Sequence, residues 1–286
     1  MIWDPAPYPW PEGRCAAACF TVDVDATAPY LWQHRAGMPP VLAALEHRRY
    51  GMRRGLARMV AMLDRLGVAG TFFVPGIVAE ENPDLLPGLV DRGHEVGLHG
   101  YFHELAGDVS DAGFTGALEA AIALFERQVG RPAGFRSPAW EMTPHMLREC
   151  ARLGLWDSSL MGDDAPYTLG GVTEIPVRWD NDDAIFQKFL GPGDRTPRPD
   201  VEVAGQWRAD ADATIGAGGL FMLTVHDWIS GRPSRVAALE TLWSDLAARK
   251  GLWMTTCGAL AEHHRRIESP SLEVVIPEAV GSPSRG

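Results

Sequence analysis

The chain has 286 residues, of which 46% are hydrophobic, and its 26 basic and 37 acidic residues give a formal net charge of −11. This composition supports a continuous buried core and excludes a disordered chain. The acidic balance argues against nucleic acid or an anionic membrane as a partner, and the one basic stretch, residues 48–55, is interpreted as the solvated start of a helix.

The first predicted element is an N-terminal arm, residues 1–15, with the sequence MIWDPAPYPWPEGR before Cys15. Its acidic residues and prolines stand where a secretory signal needs a basic start and an apolar core. Trp3 and Trp10 would be left in water by a free arm, so we expect it to lie over the fold or a neighbouring subunit. No apolar run approaches the roughly 20 residues that span a bilayer. We therefore predict a cytoplasmic protein.

Short apolar runs alternate with amphipathic segments from residue 16 to about residue 265, a pattern typical of a parallel α/β fold. The predicted strands are residues 17–23, 69–75, 94–99, 134–138, 156–160, 172–177, 219–226 and 251–255. The predicted helices are residues 52–67, 117–130, 144–154 and 235–251, each ending at or near a glycine suited to a left-handed cap. Seven or eight such strands without a dividing linker favour one barrel domain, residues 16–267.

Two further segments lie outside this alternation. Residues 178–215 form a long excursion between strands, and excursions of that length commonly serve as lids or contacts. Residues 268–286, which end in Ser, Pro and Gly, are predicted to be a mobile tail. The four cysteines contain no CxxC pattern, so we predict buried free thiols. The alternative is that Cys15 and Cys19 form a ligand pair.

His99 and His103 stand four residues apart where an apolar run gives way to a turn. On a helical turn this spacing puts two imidazoles on one face, close enough to bind one metal ion. Asp23 and Asp25 close the first strand, where residues two apart point to the same face. Two nitrogens and one carboxylate make a hydrolytic metal centre, although structural histidines are the alternative interpretation.

Two more candidates follow strands later in the chain: Arg136 within GFRSPAW and His226 at the end of GLFMLTVH. In a barrel these strand ends meet at one mouth, so we expect one cluster. A structural ion pair is the alternative for Arg136. Trp140, Trp179 and Trp228 are candidates for the pocket wall, with core packing as the alternative.

The four motifs TVDVDA, HGYFH, RSPAW and TVH, in this order, resemble those of the polysaccharide deacetylases of the NodB homology type, carbohydrate esterase family 4. The resemblance covers roughly residues 16–260 and implies a distorted (β/α) barrel of seven to eight strands. The phrases VDVDA, GHEVGLHGYFHE, SLMGDD and IPVRWDNDD are similar to an intracellular branch that includes a peptidoglycan-deacetylase-like protein, cyclic imidases and metal-independent allantoinases.

This resemblance implies that Asp25, His99 and His103 hold one divalent transition metal, with zinc as the expected ion. It further implies that Asp23 is the catalytic base, that Arg136 orients it, and that His226 is the general acid. Val24 separates the two aspartates, which stand side by side in the typical family, so which of them binds the metal is left open.

Other implied roles depend on the same resemblance. Ala139 stands where many family members have an aromatic residue, and its backbone N–H is a candidate donor to the oxyanion. Asp182 or Asp183 is a candidate for orienting His226, with solvent-exposed acids as the alternative. The closer branch also implies a homotetramer.

The expected activity is hydrolysis of a non-peptide C–N bond in a small substrate, a cyclic imide or ureide. Three alternatives are N-deacetylation of an acetylated sugar or cell-wall precursor, a metal-independent allantoinase-like reaction, and ligand binding without catalysis. The presence of all three metal-ligand candidates argues against the metal-independent arrangement.

Overall fold

The computed structural model describes residues 6–191, 193–267 and 269–277. In these ranges ten strands form one sheet. The strands are β1 (Ala16–Asp23), β2 (Thr71–Val74), β3 (Glu95–Leu98), β4 (Gly134–Phe135), β5 (Trp156–Asp157), β6 (Tyr167–Leu169), β7 (Val172–Glu174), β8 (Leu220–His226), β9 (Leu252–Thr255) and β10 (Ser271–Leu272).

Helices of the same part of the chain cover the sheet. They are α1 (Ala28–His34), α2 (Leu42–Tyr50), α3 (Leu56–Leu66), α4 (Gly76–Glu81), α5 (Leu85–Val90), α6 (Asp111–Gln128), α7 (Pro144–Leu153), α8 (Ala184–Gln187), α9 (Asp200–Gly216), α10 (Pro233–Ala247) and α11 (Cys257–Arg266). A π-helical turn, Gly51–Gly55, joins α2 to α3.

The sheet runs in the order β10-β6-β7-β5-β4-β3-β2-β1-β8, with β9 paired to the first half of β1. Every pairing is parallel except that of β6 with β7. A parallel bridge between Asp182 and Thr224 connects the segment after β7 to β8 and so curls the sheet into a distorted barrel. The predicted α/β fold with a mostly parallel sheet is confirmed, and the described residues form ten strands rather than seven or eight.

The core lies between the sheet and its helices. All eight residues of β1 and all seven of β8 are buried, as expected for apolar strands covered on both faces. The ring of Phe20 on β1 packs edge-to-face on Trp243 of α10, with the centroids 5.1 Å apart. Burying one aromatic side chain of this size contributes roughly 2–3 kcal/mol to the free energy of unfolding.

The eight predicted strands are all present, although the three that begin at residues 134, 156 and 172 contain only two or three residues. Gly67 and Gly154 cap α3 and α7 in the left-handed conformation, as predicted. The sequence pattern does not predict β6 and β10, which are short and lie at the edge of the sheet, nor the seven helices α1, α2, α4, α5, α8, α9 and α11.

The N-terminal arm, from residue 6 onward, lies over the amino-terminal end of the barrel. Trp10 Nε1 donates to Gly218 O at 2.8 Å, just before β8, and Arg14 donates to Leu252 O at the start of β9. The arm therefore does not roof the opposite end, where the candidate site residues lie. Trp3 falls outside the described residues.

The C-terminal tail begins with an ordered pairing, because Ser271 and Leu272 form β10 beside β6. Its residues 268 and 278–286 lie outside the described part of the chain, so their predicted mobility stays a prediction. Cys19, Cys150 and Cys257 are buried free thiols, as predicted, but Cys15 is exposed and the prediction is wrong there. In the described residues no helix has the length and apolar character needed to cross a membrane.

Candidate active site

Asp23 and His226 lie side by side at the carboxyl ends of β1 and β8. The parallel register aligns these two residues directly. They are only 2% and 9% exposed. Charged groups at this depth need specific partners, since desolvation of an isolated charge is costly.

Asp25 lies two residues beyond the end of β1, near Asp23. The N–H of Val24 donates to Phe73 O at 2.8 Å, so pairing with β2 continues past the strand end. The chain then turns at Ala26, whose φ is +46°. Asp25 is 5% exposed and opens into the same cavity as Asp23.

His99 and His103 face Asp25 from the loop after β3. Their Nε2 atoms lie 3.6 Å and 3.3 Å from Asp25 Oδ1. The prediction that a helical turn brings the two imidazoles together is wrong. They meet because Gly100 and His103 adopt positive φ values of 70° and 59° and fold the loop back.

Glu104 holds this loop in place. Its carboxylate accepts the backbone N–H groups of Tyr101 and Phe102, at 3.0 Å and 2.7 Å to Oε2. Glu104 therefore fixes the turn that carries His103.

The donor set of Asp25, His99 and His103 fits a divalent transition metal. One ligand atom from each lies within 4.8 Å of the others. Asp25 Oδ1 is buried and has no hydrogen-bond partner among the described residues, an arrangement that is costly unless a ligand satisfies it. His99 Nδ1 donates to Arg136 O at 2.8 Å, which leaves Nε2 free to bind the metal. Zinc accepts this mixture of imidazole and carboxylate ligands.

Arg136 supports Asp23 from inside the barrel. Its Nη1 donates to Asp23 Oδ1 at 2.8 Å, while Nε and Nη2 donate to the carbonyl and hydroxyl of Ser158. The guanidinium is fully buried and lies 4.0 Å above the ring of Phe73. Burial acts to raise the pKa of Asp23, but Arg136 and then His99 outweigh it and lower that pKa. Asp23 is therefore held as a carboxylate.

His226 is oriented by Asp183. Its Nδ1 lies 2.6 Å from Asp183 Oδ1, and its backbone N–H donates to Oδ2 of the same carboxylate at 2.9 Å. Asp182 is more distant, 3.9 Å from Nδ1. Burial acts to lower the pKa of His226, but Asp183, Asp182 and Asp25 together raise it well above the usual value.

Asp182, Asp183 and His226 also form a group of potential metal ligands. Both oxygens of Asp183 are occupied, because Oδ2 accepts the His226 N–H and the Ser230 hydroxyl and Oδ1 contacts Nδ1. Asp182 Oδ1 accepts the N–H of Ala184. This group therefore orients an imidazole rather than providing a second metal centre.

A cavity of about 350 Å³ opens onto these groups. The candidate tryptophans all line it: Trp140 and Trp179 stack with their centroids 4.3 Å apart, and Trp228 lies at 2% exposure. Trp179 comes from the excursion of residues 178–215, which also contributes Ile185 and Lys188 to the wall.

Ala139 also lines this cavity, with φ +53°. Its backbone N–H has no acceptor among the described residues, and the following Trp140 is likewise left-handed, with φ +54°. The turn is therefore built so that a backbone donor is left free beside the candidate site.

Arg48, on α2, is a site residue that the sequence did not reveal. The interpretation of residues 48–55 as the solvated start of a helix is wrong for this residue, which is 4% exposed and lines the cavity. The π-helical turn explains its position: a Cβ at Gly51 would lie 1.8 Å from Asp227 Oδ2, and one at Gly55 would lie 2.0 Å from Asp227 O. Only glycine allows this close approach of α2 to the loop after β8.

Comparison with known proteins identifies the family. The polysaccharide deacetylase profile matches residues 50–156, a stretch that includes His99, His103 and Arg136. A crystal structure from Mycobacterium smegmatis, assigned to the polysaccharide deacetylases, is 33% identical, with 96% of this chain and 99% of that chain covered and a TM-score of 0.88. The chain belongs to the polysaccharide deacetylase family. Membership of this family indicates a hydrolase that acts on C–N bonds.

Two further similarities bear on this family member. Peptidoglycan deacetylase-like protein FGM2 of Gibberella zeae is 38% identical over 203 residues, which cover 68% of this chain but only 56% of that relative. The structure of Puue allantoinase superposes with a TM-score of 0.80 at 21% identity, over 93% of this chain and 95% of that one. At that identity the second similarity shows the shared fold alone.

Proposed function

We propose that the protein is a metal-dependent hydrolase of a non-peptide C–N bond in a small substrate, a cyclic imide or ureide. One observation carries the proposal: the unpartnered Oδ1 of Asp25 and the Nε2 atoms of His99 and His103 converge at the base of a cavity of about 350 Å³. A divalent ion such as zinc at these residues supplies Lewis acidity, which polarises a carbonyl and lowers the pKa of water from about 9 toward about 7.

In this proposal Asp23 removes a proton from the attacking water. Its carboxylate is buried beside Asp25 and is kept ionised by Arg136, which also fixes its orientation through the 2.8 Å hydrogen bond. A base held in one geometry loses little entropy when it accepts the proton. Arg136 is a positioning residue because its side chain reaches Asp23 but does not line the cavity.

His226 protonates the leaving nitrogen. Because Nδ1 contacts Asp183, the proton available to a substrate is the one on Nε2, which lies 3.9 Å from Asp25 Oδ2. The raised pKa keeps the imidazole protonated and ready to donate. In the proposal the backbone N–H of Ala139, a residue that lines the cavity, donates to the oxyanion that forms between these two proton transfers.

The walls of the cavity favour small substrates. Trp140, Trp179 and Trp228 surround it with flat apolar surface, and its volume lies within the range of small-molecule sites. A cavity of this volume can hold and orient a compact ring. N-deacetylation of a sugar or cell-wall precursor is the second candidate, supported by the similarity to FGM2.

The test joins elemental analysis to a substrate panel. We expect about one transition metal per chain and higher kcat/KM for succinimide-like rings and cyclic ureides than for N-acetylglucosamine oligomers. Activity that rises with the length of chito-oligosaccharides would favour the second candidate instead. Full activity of a metal-free sample in a chelator would favour an allantoinase-like, metal-independent reaction.

A further inference from the structure

Arg48 is a buried cation whose hydrogen-bonding capacity is unused. Among the described residues its side chain makes no hydrogen bond, and Nη1 is buried without a partner. Its one ion pair, with Asp25 Oδ2, is long at 3.9 Å. A guanidinium has five N–H donors, and leaving them unpaired in a buried site is costly.

The guanidinium lies against Trp228 at the cavity wall. It lies 4.7 Å from the centroid of the Trp228 ring, and Gly51 and Gly55 bring its helix against Asp227 without room for a side chain. Asp25, the nearest acid, belongs to the group that fits a metal. Asp25 and Asp227 therefore act on the charge of Arg48, while its N–H donors stay available to a ligand.

A second cation lines the same cavity. Lys188 follows α8 at the cavity edge, is exposed, and has no ion-pair partner in residues 6–191, 193–267 and 269–277. Together the two cations oppose the acidic character of the chain, whose net charge is −11. They share the cavity lining with the carboxylates of Asp23, Asp25 and Asp182.

We propose that Arg48 binds a carboxylate carried by the substrate, so that the site selects amides or imides that bear an anionic group next to the scissile bond. This inference rests on the proposed function, because it assigns the substrate class of the same cavity. Arg48 provides a planar, charge-assisted pair of donors, and Lys188 attracts the anion toward the cavity.

Succinamate and succinamide provide the test, because they have the same shape and differ only by a carboxylate in place of an amide. Calorimetry on the metal-loaded protein should show succinamate binding roughly tenfold to 100-fold more tightly. Arg48→Met should abolish this preference. Arg48→Lys should retain part of it, and Lys188→Met, an exposed change, should reduce it about two- to fivefold.

Metal content and melting temperature of each variant serve as controls. A wild-type protein that binds succinamate no better than succinamide overturns the inference. So does an Arg48→Met variant that keeps the preference, since the bound metal would then be the anion site. If Arg48→Met does not fold, unchanged preference in both Arg48→Lys and Lys188→Met has the same meaning.

These experiments distinguish a failure of the proposed function from a failure of the proposed anion site. An Arg48-dependent preference without hydrolysis of any amide, imide or ureide would reject the proposed function and keep the anion site. Hydrolysis of neutral substrates without an Arg48-dependent preference would keep the function and reject the anion site.

Discussion

Nδ1 of His226 lies 2.6 Å from Oδ1 of Asp183, and both groups are buried at the barrel mouth. Asp183 also accepts the backbone N–H of His226, so one carboxylate fixes both the ring and the main chain of the same residue. This pairing fixes the tautomer of His226 and presents Nε2 to the cavity.

Asp183→Asn should therefore weaken catalysis through His226. Burial already acts to lower the pKa of His226, and removing the charge of Asp183 removes the largest effect that raises it. The general acid must be protonated, so the alkaline limb of the kcat/KM profile should move to lower pH, with a roughly 10- to 100-fold loss of kcat. Asp182→Asn, at 3.9 Å from the ring, should give a smaller shift of the same sign. Equal profiles for wild type and Asp183→Asn would contradict this role.

Asp23→Asn and His226→Ala should separate catalysis from metal binding. Neither residue belongs to the Asp25, His99 and His103 group, so both variants should keep their metal. Turnover should fall by roughly 10²- to 10⁴-fold if each side chain transfers a proton. Elemental analysis and steady-state kinetics on the same preparations provide the measurement, and a near-normal kcat in either variant would remove that residue from the mechanism.

His99→Ala and His103→Ala should each release the metal, because two remaining ligands hold zinc weakly. His145→Ala is the matched control. That histidine contacts Thr115 and the carbonyl of Asp111, away from the cavity. The control should keep both metal and activity, whereas metal retained at wild-type levels by the His99 and His103 variants would show that the ligand assignment is wrong.

Glu174→Gln should change how stability depends on pH. Burial and then the neighbouring charge of Asp157 raise the pKa of Glu174 well above its usual value. The folded state thus binds more protons than the unfolded state, so this group stabilises the fold below about pH 4.3, and that contribution is lost as pH rises through the folded pKa. Glutamine stays neutral and can still accept the N–H groups of Ser159 and Leu160.

The free energy of unfolding of Glu174→Gln, measured with urea, should therefore increase relative to that of the wild type as pH rises above about 4.3. Glu149→Gln is a control of opposite sign, because a hydrogen bond from Arg152 lowers the pKa of Glu149. Its difference from wild type should become more destabilising as pH rises through the pKa of Glu149. A constant offset for Glu174→Gln across pH would contradict the assignment.

We also predict a homo-oligomer, a tetramer by resemblance. Val275 and Ile276, beyond β10, are 74% and 67% exposed, and apolar surface of this kind commonly marks an interface. Light scattering should show four copies at micromolar concentration. Val275→Asp combined with Ile276→Asp should shift the population to smaller species, whereas Val90→Asp on α5 should not. A monomeric wild type would reject the prediction.

The long buried strands were predictable because their composition leaves little choice. β1 and β8 are continuous apolar runs that end in acidic or imidazole side chains, and parallel strands bring such ends to one mouth. β6 has only three half-buried residues, and β10 has two exposed ones, so neither produces an apolar run. Helix α9 places Val203, Trp207 and Ala211 on one face, but acidic residues between them mask the period.

The site was less predictable where the backbone beside it adopts an unusual conformation. No local pattern distinguishes Arg48 from Arg49, since burial of the former depends on the contact of Gly51 with Asp227. The spacing of His99 and His103 predicted that their imidazoles meet, but they do so through a left-handed loop instead of a helical turn. The choice between Asp182 and Asp183 required the distances to His226.

The exposure of Cys15 has a practical consequence. Cys19, Cys150 and Cys257 are buried, so a maleimide dye added to the native protein should react at one position. That position precedes β1, whose length separates it from Asp23 by about 25 Å at the usual rise per residue. A fluorophore at Cys15 would thus lie within energy-transfer range of a labelled ligand in the cavity, yet too far away to disturb the catalytic residues. Ligand occupancy could then be followed without any engineered residue.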